Sequence, residues 1–413
     1  MERAKRIVFD LSSYQGESGF RGMGRVAWEV FGHLIKFLDK SWQIHVILCS
    51  HFNIERGAQI RESLLNLREE IKIEVFEPVG FNTYFDILLQ DYEMAILYDI
   101  ALEYFISQVK PDVYFNPSHF EWDHPTSIKK LNGSWKDFIV LYDLIPFLFQ
   151  EIYLSSEKQK KWYYHKLDEV TKADFYFAIS NSTKEDFVKH LNFNPEKIKT
   201  TYIDTNFNFR TLNRDEKKEA IDYIKNKFAI EKFILYVPGG FDYRKNFHNL
   251  FKAYGMLPEE IKKSYKLVLV SKIDDAMKNN LYSIAKDSGV EKENIVFTGY
   301  VSDDELNFLY NLTSLFVYPS LYEGFGLPVL EAMRAGAPVI GSDCSSIKEI
   351  ILEKEAMFAP ENPEDISRKI AFALKEKNYR EFLTENSELQ QKRFSWDKTA
   401  EIIASTIQEL VND

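Results

Sequence analysis

The chain has 413 residues, of which 45% are hydrophobic and 28% are charged, and its formal net charge at pH 7 is −11. That length exceeds what a single hydrophobic core normally serves, so we expect two domains. The acidic balance argues against general nucleic-acid binding, which requires a basic surface.

The number of cysteines and the lengths of the apolar runs predict where in the cell the protein is found. No apolar run approaches the roughly 20 residues of a membrane span, and the N-terminal residues lack the long apolar region of a signal peptide. Cys49 and Cys344 do not make a disulfide framework. Together these features predict a protein of the reducing cytoplasm.

The first predicted unit is a strand, a glycine-rich loop and a helix. The strand covers residues 6–11, the helix covers 26–38, and Arg21, Gly22 and Gly24 lie in the loop between them. The start of a helix after a strand offers N–H groups and a positive dipole end to an anion. The glycine spacing differs from the dinucleotide fingerprint. A flexible loop with solvated arginines is the alternative.

Five more strands are predicted in the first half, and polar side chains follow two of them. The strands cover residues 43–49, 71–76, 112–115, 137–142 and 175–179. His119 and Glu121 follow the third of these strands, and Asp143 follows the fourth. Parallel strands present their ligands at the carboxyl ends, so we expect these side chains near a cleft. Mobile surface positions for His119 and Glu121, and a turn-capping role for Asp143, are the alternatives.

Residues 157–166 are rich in lysine and aromatic residues. Such a segment is suited to rest on an anionic membrane or on a lipid-linked acceptor. A solvated helix face with its aromatic side chains turned inward is the competing interpretation. Further on, Ser180 and its neighbours predict the cap of a helix that starts at Thr183.

The second half opens with a strand followed by two cations. Apolar periodicity lapses at residues 204–213, where we place the interdomain linker, and the strand covers 233–237. Gly240, Arg244 and Lys245 lie in the loop after it. The planar guanidinium of arginine grips phosphate oxygens, and lysine adds a point charge. Two exposed loop cations are the alternative.

Residues 315–340 carry the most informative pattern, which is strand, glycine-rich turn, helix and strand. Glu323 lies before the helix at 327–334, and Glu331 lies within it. The helix start favours an anion, while both carboxylates accept hydrogen bonds from hydroxyls. The pattern therefore predicts a ligand in which hydroxyls adjoin phosphate. An ordinary loop with two surface glutamates is the alternative.

Two further strands cover residues 265–270 and 294–297, and Tyr300 and Val301 follow the second. The acidic residues 303–305 resemble a metal site, but they are better interpreted as the cap and first turn of a helix. We found no convincing cluster of metal ligands in the sequence. The prediction is that no metal and no cofactor are needed.

Residues 323–333 (EGFGLPVLEAM) resemble the glutamate-x7-glutamate motif of retaining GT-B glycosyltransferases of family 4. The resemblance implies that Glu331 binds the ribose of a nucleotide-sugar. It also implies that the sugar and the phosphates are held by a cradle of Glu323, Gly324, Phe325 and Gly326. Leu327, the next residue, is assigned to donor binding as well.

Other strings are similar to the same family. Residues 239–246 (GGFDYRKN) resemble its diphosphate site, which implies that Arg244 and Lys245 bind the diphosphate beside Gly240. Residues 21–25 (RGMGR) resemble the first loop of some bacterial polysaccharide mannosyltransferases. Two further donor-side assignments follow from the resemblance, namely Gly22 and Gly24 in that loop and Tyr300 and Val301 beside the nucleobase.

Residues 142–146 (YDLIP) are similar to the family's histidine-aspartate-leucine-isoleucine-proline motif. Tyr142 replaces the histidine, so only the role of Asp143 is carried over as catalytic, beside Arg244, Lys245 and Glu323. The acceptor side is assigned to Arg21, His119, Glu121 and Tyr142.

The resemblance implies an α/β fold of two Rossmann-like, doubly wound domains that face each other across a cleft. Residues 1–205 would bind the acceptor, residues 206–394 the donor, and a closing helix at 395–413 would return to the first domain. The implied reaction is metal-independent transfer of a sugar with retention of anomeric configuration. The donor would be a nucleotide-sugar, with GDP-mannose favoured and a UDP-sugar next.

The acceptor implied by the resemblance is a glycan or a lipid-linked saccharide in bacterial surface polysaccharide synthesis. That setting adds peripheral contact with the inner face of the membrane to the predicted cytoplasmic location. Two alternatives stay open. One is a GT-B phosphorylase or sucrose-synthase-like enzyme, and the other is a catalytically silent GT-B module that binds or scaffolds a partner.

Overall fold

The computed structural model describes residues 3–16, 19, 22–50, 54–77, 92–121, 125–128 and 134–412. The chain divides into two compact units. The first comprises Met1–Ile203 together with Ser395–Asp413, and the second comprises Asp204–Phe394. The change of unit at Ile203 lies close to the boundary predicted at residue 205.

The first unit is built on a seven-stranded parallel sheet in the order β3-β2-β1-β4-β5-β6-β7. Its strands are β1 Arg6–Asp10, β2 Gln43–Cys49, β3 Lys72–Phe76, β4 Val113–Asn116, β5 Lys136–Leu141, β6 Phe175–Ala178 and β7 Ile198–Thr200. The four residues of β4 and of β6 are all buried. Strands buried on both faces form continuous apolar runs, which is why the sequence predicts them well.

Helices cover this sheet. Within the described part of the unit they are Ser12–Gln15, Met23–Phe37, Ile54–Leu67, Tyr92–Val109, Ile145–Leu148, Gln150–Tyr153, Glu157–Val170, Asn181–Leu191 and, from the end of the chain, Trp396–Asn412. The last helix buries Ile403 and Ile407 within the first unit. It lies against the helix Met23–Phe37.

The second unit holds a six-stranded parallel sheet in the order β10-β9-β8-β11-β12-β13. Its strands are β8 Phe233–Tyr236, β9 Lys266–Leu269, β10 Ile295–Phe297, β11 Leu315–Tyr318, β12 Val339–Ser342 and β13 Met357–Phe358. The chain moves outward from β8 to β10 and then returns to the other side of β8. This reversal makes the β8–β11 junction a topological switch point, where α/β sheets bind ligands.

The helices of the second unit follow its strands in turn. They are Arg214–Phe228, Phe247–Gly255, Glu259–Ser264, Asp275–Asp287, Asp303–Leu312, Leu327–Arg334, Ile347–Ile351, Pro363–Lys375 and Lys377–Gln390. Ser302 caps the helix Asp303–Leu312 and exchanges hydrogen bonds with Glu305. This capping box confirms that the acidic residues 303–305 form a helix start.

Several predicted boundaries shift by a few residues. The helix predicted from Val26 begins at Met23, after Gly22 with φ +69°. The helix predicted from Thr183 begins at Asn181, because the Ser180 side chain accepts a hydrogen bond from the Thr183 N–H. The sequence also predicts a helix over residues 84–109. The structure has the helix Tyr92–Val109, and residues 84–91 lie outside the described residues.

Neither unit contains, among its described residues, a helix long and apolar enough to cross a membrane. Cys49 and Cys344 are both thiols.

Candidate functional site

The loops after β8 and β11 meet at the switch point of the second sheet, and backbone contacts hold them together. The N–H of Leu321 donates to the Arg244 carbonyl at 2.7 Å. The Asn246 side chain donates to the Pro319 carbonyl at 2.8 Å. The Arg244-Lys245 pair is therefore fixed against the segment that ends in Glu323.

Both predicted cations contact Glu323. Lys245 Nζ lies 2.6 Å from Oε1, and an Arg244 guanidinium nitrogen lies 2.8 Å from Oε2. Lys245 and Glu323 are 5% and 8% exposed. The Tyr318 hydroxyl also donates to Oε1, at 3.1 Å. The structure thus brings Glu323 to two adjacent cations that lie 79 and 78 positions before it in the sequence.

Charge balance sets the protonation of Glu323. Burial by itself raises the pKa of this carboxyl, but the Lys245 and Arg244 charges outweigh burial and hold the pKa below its usual value. Glu323 is therefore ionised at neutral pH. Asp242 Oδ1 adds a second carboxylate 3.2 Å from the Arg244 Nε.

The glycine-rich turn depends on Gly326 and on two serines. Gly326 has φ +110°, and a Cβ there would lie 2.5 Å from Ile347 Cδ1. Ser345 Oγ accepts the Glu323 N–H at 3.0 Å. Ser346 Oγ lies 2.8 and 2.7 Å from the carbonyl oxygens of Glu323 and Phe325. The loop after β12 therefore fixes how the turn presents its backbone.

Glu331 lies on the helix Leu327–Arg334 and is half-buried. The Tyr310 hydroxyl donates to its Oε2 at 2.9 Å. Burial, and then the adjacent carboxylate, raise the pKa of Tyr310 well above its usual value, so the phenol stays protonated. This donor was not singled out from the sequence, because nothing in a tyrosine 21 positions before a glutamate signals contact.

The remaining donor-side candidates lie in loops at the carboxyl ends of their strands. Gly240 follows β8 and is half-buried, while Tyr300, 78% exposed, and half-buried Val301 follow β10. Leu327 is the first residue of the helix that carries Glu331. Their contacts with a nucleotide stay predictions.

In the first unit, the glycine-rich loop that follows β1 contacts Tyr142. The Tyr142 hydroxyl donates to the Met23 carbonyl, between Gly22 and Gly24, at 3.2 Å. Asp143 Oδ1 accepts the Ile145 N–H at 2.9 Å, which is the turn-capping contact considered above. Arg21 lies outside the described residues.

His119 and Glu121 are 1% and 2% exposed, so the alternative of mobile surface positions is wrong. Burial, and then the Lys166 charge, lower the pKa of His119 to about 3, and its ring is neutral at pH 7. His119 Nε2 lies 3.5 Å from a Glu169 carboxylate oxygen. His119 can therefore act on a ligand only through its neighbours.

A buried charge cluster surrounds Lys166 in the same unit. The spacing of Asp99, His165 and Glu169 would suit a metal ion. The Lys166 ammonium, however, donates to Asp99 and Glu169 at 3.0 Å each and to the Thr126 carbonyl at 2.9 Å. Burial lowers the pKa of Lys166, but the two carboxylates raise it above its usual value. A protonated lysine already supplies the cation here.

The helix Glu157–Val170 carries Lys166 and the lysine-rich segment. Trp162 and Tyr163 are buried, whereas Lys158 and Lys161 are exposed. These four side chains fit the interpretation of a solvated face with aromatic residues turned inward.

Comparison with known proteins gives a family match within the second unit. Residues 218–390 match the family described as "Glycosyl transferases group 1". "Serotype-specific mannosyltransferase WbdA" of Escherichia coli is 31% identical over 400 residues, which cover 96% of this chain and 47% of that protein. "O-antigen chain mannosyltransferase B" of Escherichia coli is 31% identical over 225 residues, 54% of this chain and 58% of that protein. The chain thus spans about half the length of these curated relatives.

Among solved structures, HepE of Anabaena in complex with UDP and glucose superposes with a TM-score of 0.66 at 16% identity. The match covers 98% of this chain and 100% of that one. This likeness confirms the predicted class of two parallel-sheet α/β domains.

Proposed function

We propose that this chain, which has the GT-B fold and matches the group 1 glycosyltransferase family at residues 218–390, is a retaining glycosyltransferase. It transfers a sugar from a nucleotide-sugar to a saccharide acceptor during the synthesis of a bacterial surface polysaccharide. The observation that carries this proposal is the cluster of Arg244, Lys245 and Glu323 beside the Gly326 turn at the switch point.

The donor diphosphate binds at that cluster. Two cations face one carboxylate there, and the turn that follows opens the helix Leu327–Arg334, whose N-terminal end favours anions. As the bond between the anomeric carbon and the phosphate oxygen breaks, negative charge grows on the leaving diphosphate. Fixed positive groups stabilise this charge more in the transition state than in the bound donor. Glu323 keeps both cations oriented.

The acceptor hydroxyl attacks the face that the diphosphate leaves, and its proton passes to a phosphate oxygen of the leaving group. This front-face route retains the anomeric configuration and needs no protein nucleophile. Because cations of the chain itself balance the diphosphate, we propose no metal and no cofactor for the reaction.

Glu331 binds the ribose. Its carboxylate lies on the helix that follows the glycine turn, and a half-buried carboxylate is a strong acceptor for hydroxyl groups. Tyr300 and Val301 line the base. GDP-mannose is the proposed donor because the curated relatives are named mannosyltransferases. A UDP-sugar is second, in view of the UDP bound by HepE.

The acceptor is a glycan or a lipid-linked saccharide. Tyr142 and Asp143 form its side of the site, with Arg21, and the buried His119 and Glu121 act through their neighbours. A lipid-linked acceptor would bring the protein to the inner face of the membrane, where Lys158 and Lys161 are exposed to anionic headgroups.

A transfer assay tests the proposal. The protein is incubated with GDP-mannose or UDP-glucose and octyl α-D-mannopyranoside, with and without EDTA, and the product is analysed by NMR. We expect transfer from GDP-mannose to give an α-linked product, unchanged by EDTA and reduced in Glu331→Gln. A β-linked product would contradict retention. Nucleotide binding without transfer from either donor would favour a catalytically silent binding module.

A further inference from the structure

Tyr310 lies on the helix Asp303–Leu312 and is 0% exposed, yet its hydroxyl reaches a carboxylate on another helix. The phenolic oxygen donates to Glu331 Oε2 at 2.9 Å. Glu331 itself is half-buried on Leu327–Arg334. The contact therefore joins a rigid interior group to a side chain at the edge of the interior.

The ring of Tyr310 is held on two sides. It packs edge-to-face against Phe209, with centroids 5.8 Å apart, and against Phe316, with centroids 5.5 Å apart. A tyrosine so enclosed has one accessible rotamer, and its hydroxyl position is fixed. A glutamate by contrast has three side-chain torsions and loses much conformational entropy when it is ordered.

The choice of acceptor distinguishes Tyr310 from other buried tyrosines of the same unit. The hydroxyls of Tyr236 and Tyr254 donate to the backbone carbonyls of Lys245 and Tyr265, at 2.7 Å each. Tyr310 and Tyr318 instead donate to Glu331 and Glu323, the two glutamates of the motif. Each motif carboxylate thus has a buried phenol that sets its orientation.

We propose that Tyr310 is a positioning residue that holds the Glu331 carboxylate in place to receive the vicinal hydroxyls of the ribose of a nucleoside diphosphate. This inference rests on the proposed function and goes beyond it, because it assigns ribose recognition to a pair of residues. The Tyr310 hydroxyl orders Glu331 before the nucleotide arrives, so that binding does not have to supply that order.

Calorimetric titration of GDP and 2′,3′-dideoxy-GDP tests the proposal in wild type, Tyr310→Phe and Glu331→Gln. The phenylalanine keeps the ring packing and removes only the hydroxyl. We expect Tyr310→Phe to weaken GDP binding about tenfold, the order of a hydrogen bond to a charged group, and to leave dideoxy-GDP binding unchanged. In the Glu331→Gln background, Tyr310→Phe should cause little further loss.

Tyr254→Phe is the matched control, because it removes an equally buried hydroxyl whose partner is a backbone carbonyl. It should lower the melting temperature to a similar extent and leave GDP affinity unchanged. If Tyr310→Phe weakened the binding of GDP and dideoxy-GDP equally, or did not weaken GDP binding, the positioning role of Tyr310 would be overturned while the proposed function would stand. UDP and its 2′,3′-dideoxy form are titrated in parallel. If the wild type bound neither GDP nor UDP, both this inference and the proposed function would be overturned.

Discussion

At the scale of single residues, Lys245 and Glu323 form a buried ion pair that Arg244 completes. Removing charges from water is expensive, so such a pair persists only with close contacts and additional hydrogen bonds. Tyr318 supplies one of those bonds to Glu323. The charges of the cluster are thus fixed by contacts within the protein, as the proposed diphosphate site requires.

Replacing Lys245 with methionine should show how far the cluster depends on charge balance. Lys245→Met leaves the buried Glu323 short of a cation and should lower the free energy of unfolding by about 3 kcal/mol, measured with urea. Adding Glu323→Gln should restore part of that loss. Lys218→Met, which breaks an exposed pair with Asp215, serves as the control. An equal effect of both lysine substitutions would contradict the account of the cluster.

Asp186 predicts a specific pH dependence in the first unit. Its side chain is 15% exposed, and burial raises its pKa to about 6. Because its pKa is higher in the folded state than in the unfolded state, Asp186 binds its proton more tightly when the protein is folded. As the pH rises from about 4 to 6 the proton is lost, and the buried charge then lowers the free energy of unfolding. Asp186→Asn removes this charge, so it should raise the free energy of unfolding by about 1–2 kcal/mol at pH 7, a value reduced for the screening of the charge by solvent. It should have no such effect at pH 4.

Thermal unfolding at the two pH values measures the Asp186→Asn effect. Asp168→Asn is the control, since this aspartate forms an exposed pair with Lys172. A gain at pH 4 equal to that at pH 7 would show that the charge of Asp186 is not the cause.

At the scale of elements, the turn between β11 and the helix Leu327–Arg334 combines an unusual backbone with close packing. The positive φ of Gly326 and the side chain of Ile347 both exclude a Cβ. Ser346 holds two carbonyl oxygens of the same turn. The N-terminal end of the helix is thereby set in one orientation.

Gly326→Ala should reduce stability by more than backbone strain alone, because the new Cβ also meets Ile347. Gly289→Ala is a matched control, with φ +72° and nothing within 4 Å of the added Cβ. We expect a loss of about 1 kcal/mol for the control and about 3 kcal/mol or more for Gly326→Ala. Nucleotide affinity should fall only in the latter. If Gly326→Ala and Gly289→Ala lowered stability by similar amounts, the Ile347 side chain would be shown to move aside at little cost.

Elements were largely predictable because their signals are local. Apolar runs such as 315–318 marked the buried strands, and the glycine-rich turn before residue 327 marked a helix start. The start of the helix Met23–Phe37 was placed too late, because glycine and polar residues mask its first turn. Contacts such as Tyr310 with Glu331 could not be predicted, since packing of separate helices creates them.

At the scale of the molecule, the chain forms two sheet-based units, and the helix Trp396–Asn412 belongs to the first of them. The helix presents Ile403, 0% exposed, on its inner face and Ile402, 38% exposed, beside it. The family resemblance implied that this closing helix returns to the first domain. The local sequence pattern alone could not show this, because the arrangement depends on contacts with residues more than 300 positions away, such as Phe37 with Gln408.

Alanine substitutions in this helix test that arrangement. Ile403→Ala should destabilise the first unit by about 2–4 kcal/mol, because it opens a cavity in a closed interior. Ile402→Ala should cost much less. Calorimetric unfolding of Ile403→Ala is expected to show a lower melting temperature for the transition of the first unit. A nucleoside diphosphate should still raise the melting temperature of the other transition, which belongs to the second unit. A shift of the ligand-protected transition instead would contradict the assignment of this helix.

The proposed function requires that the second unit bind a nucleoside diphosphate through Glu331 and the Arg244–Lys245–Glu323 cluster. Calorimetric titration of wild type and Glu331→Ala with GDP, UDP and ADP, with and without EDTA, measures this binding directly. We expect selective binding of one diphosphate, GDP first, that is greatly weakened by Glu331→Ala and unaffected by EDTA. Absence of binding to all three nucleotides, or equal binding by the variant, would contradict the proposed donor site.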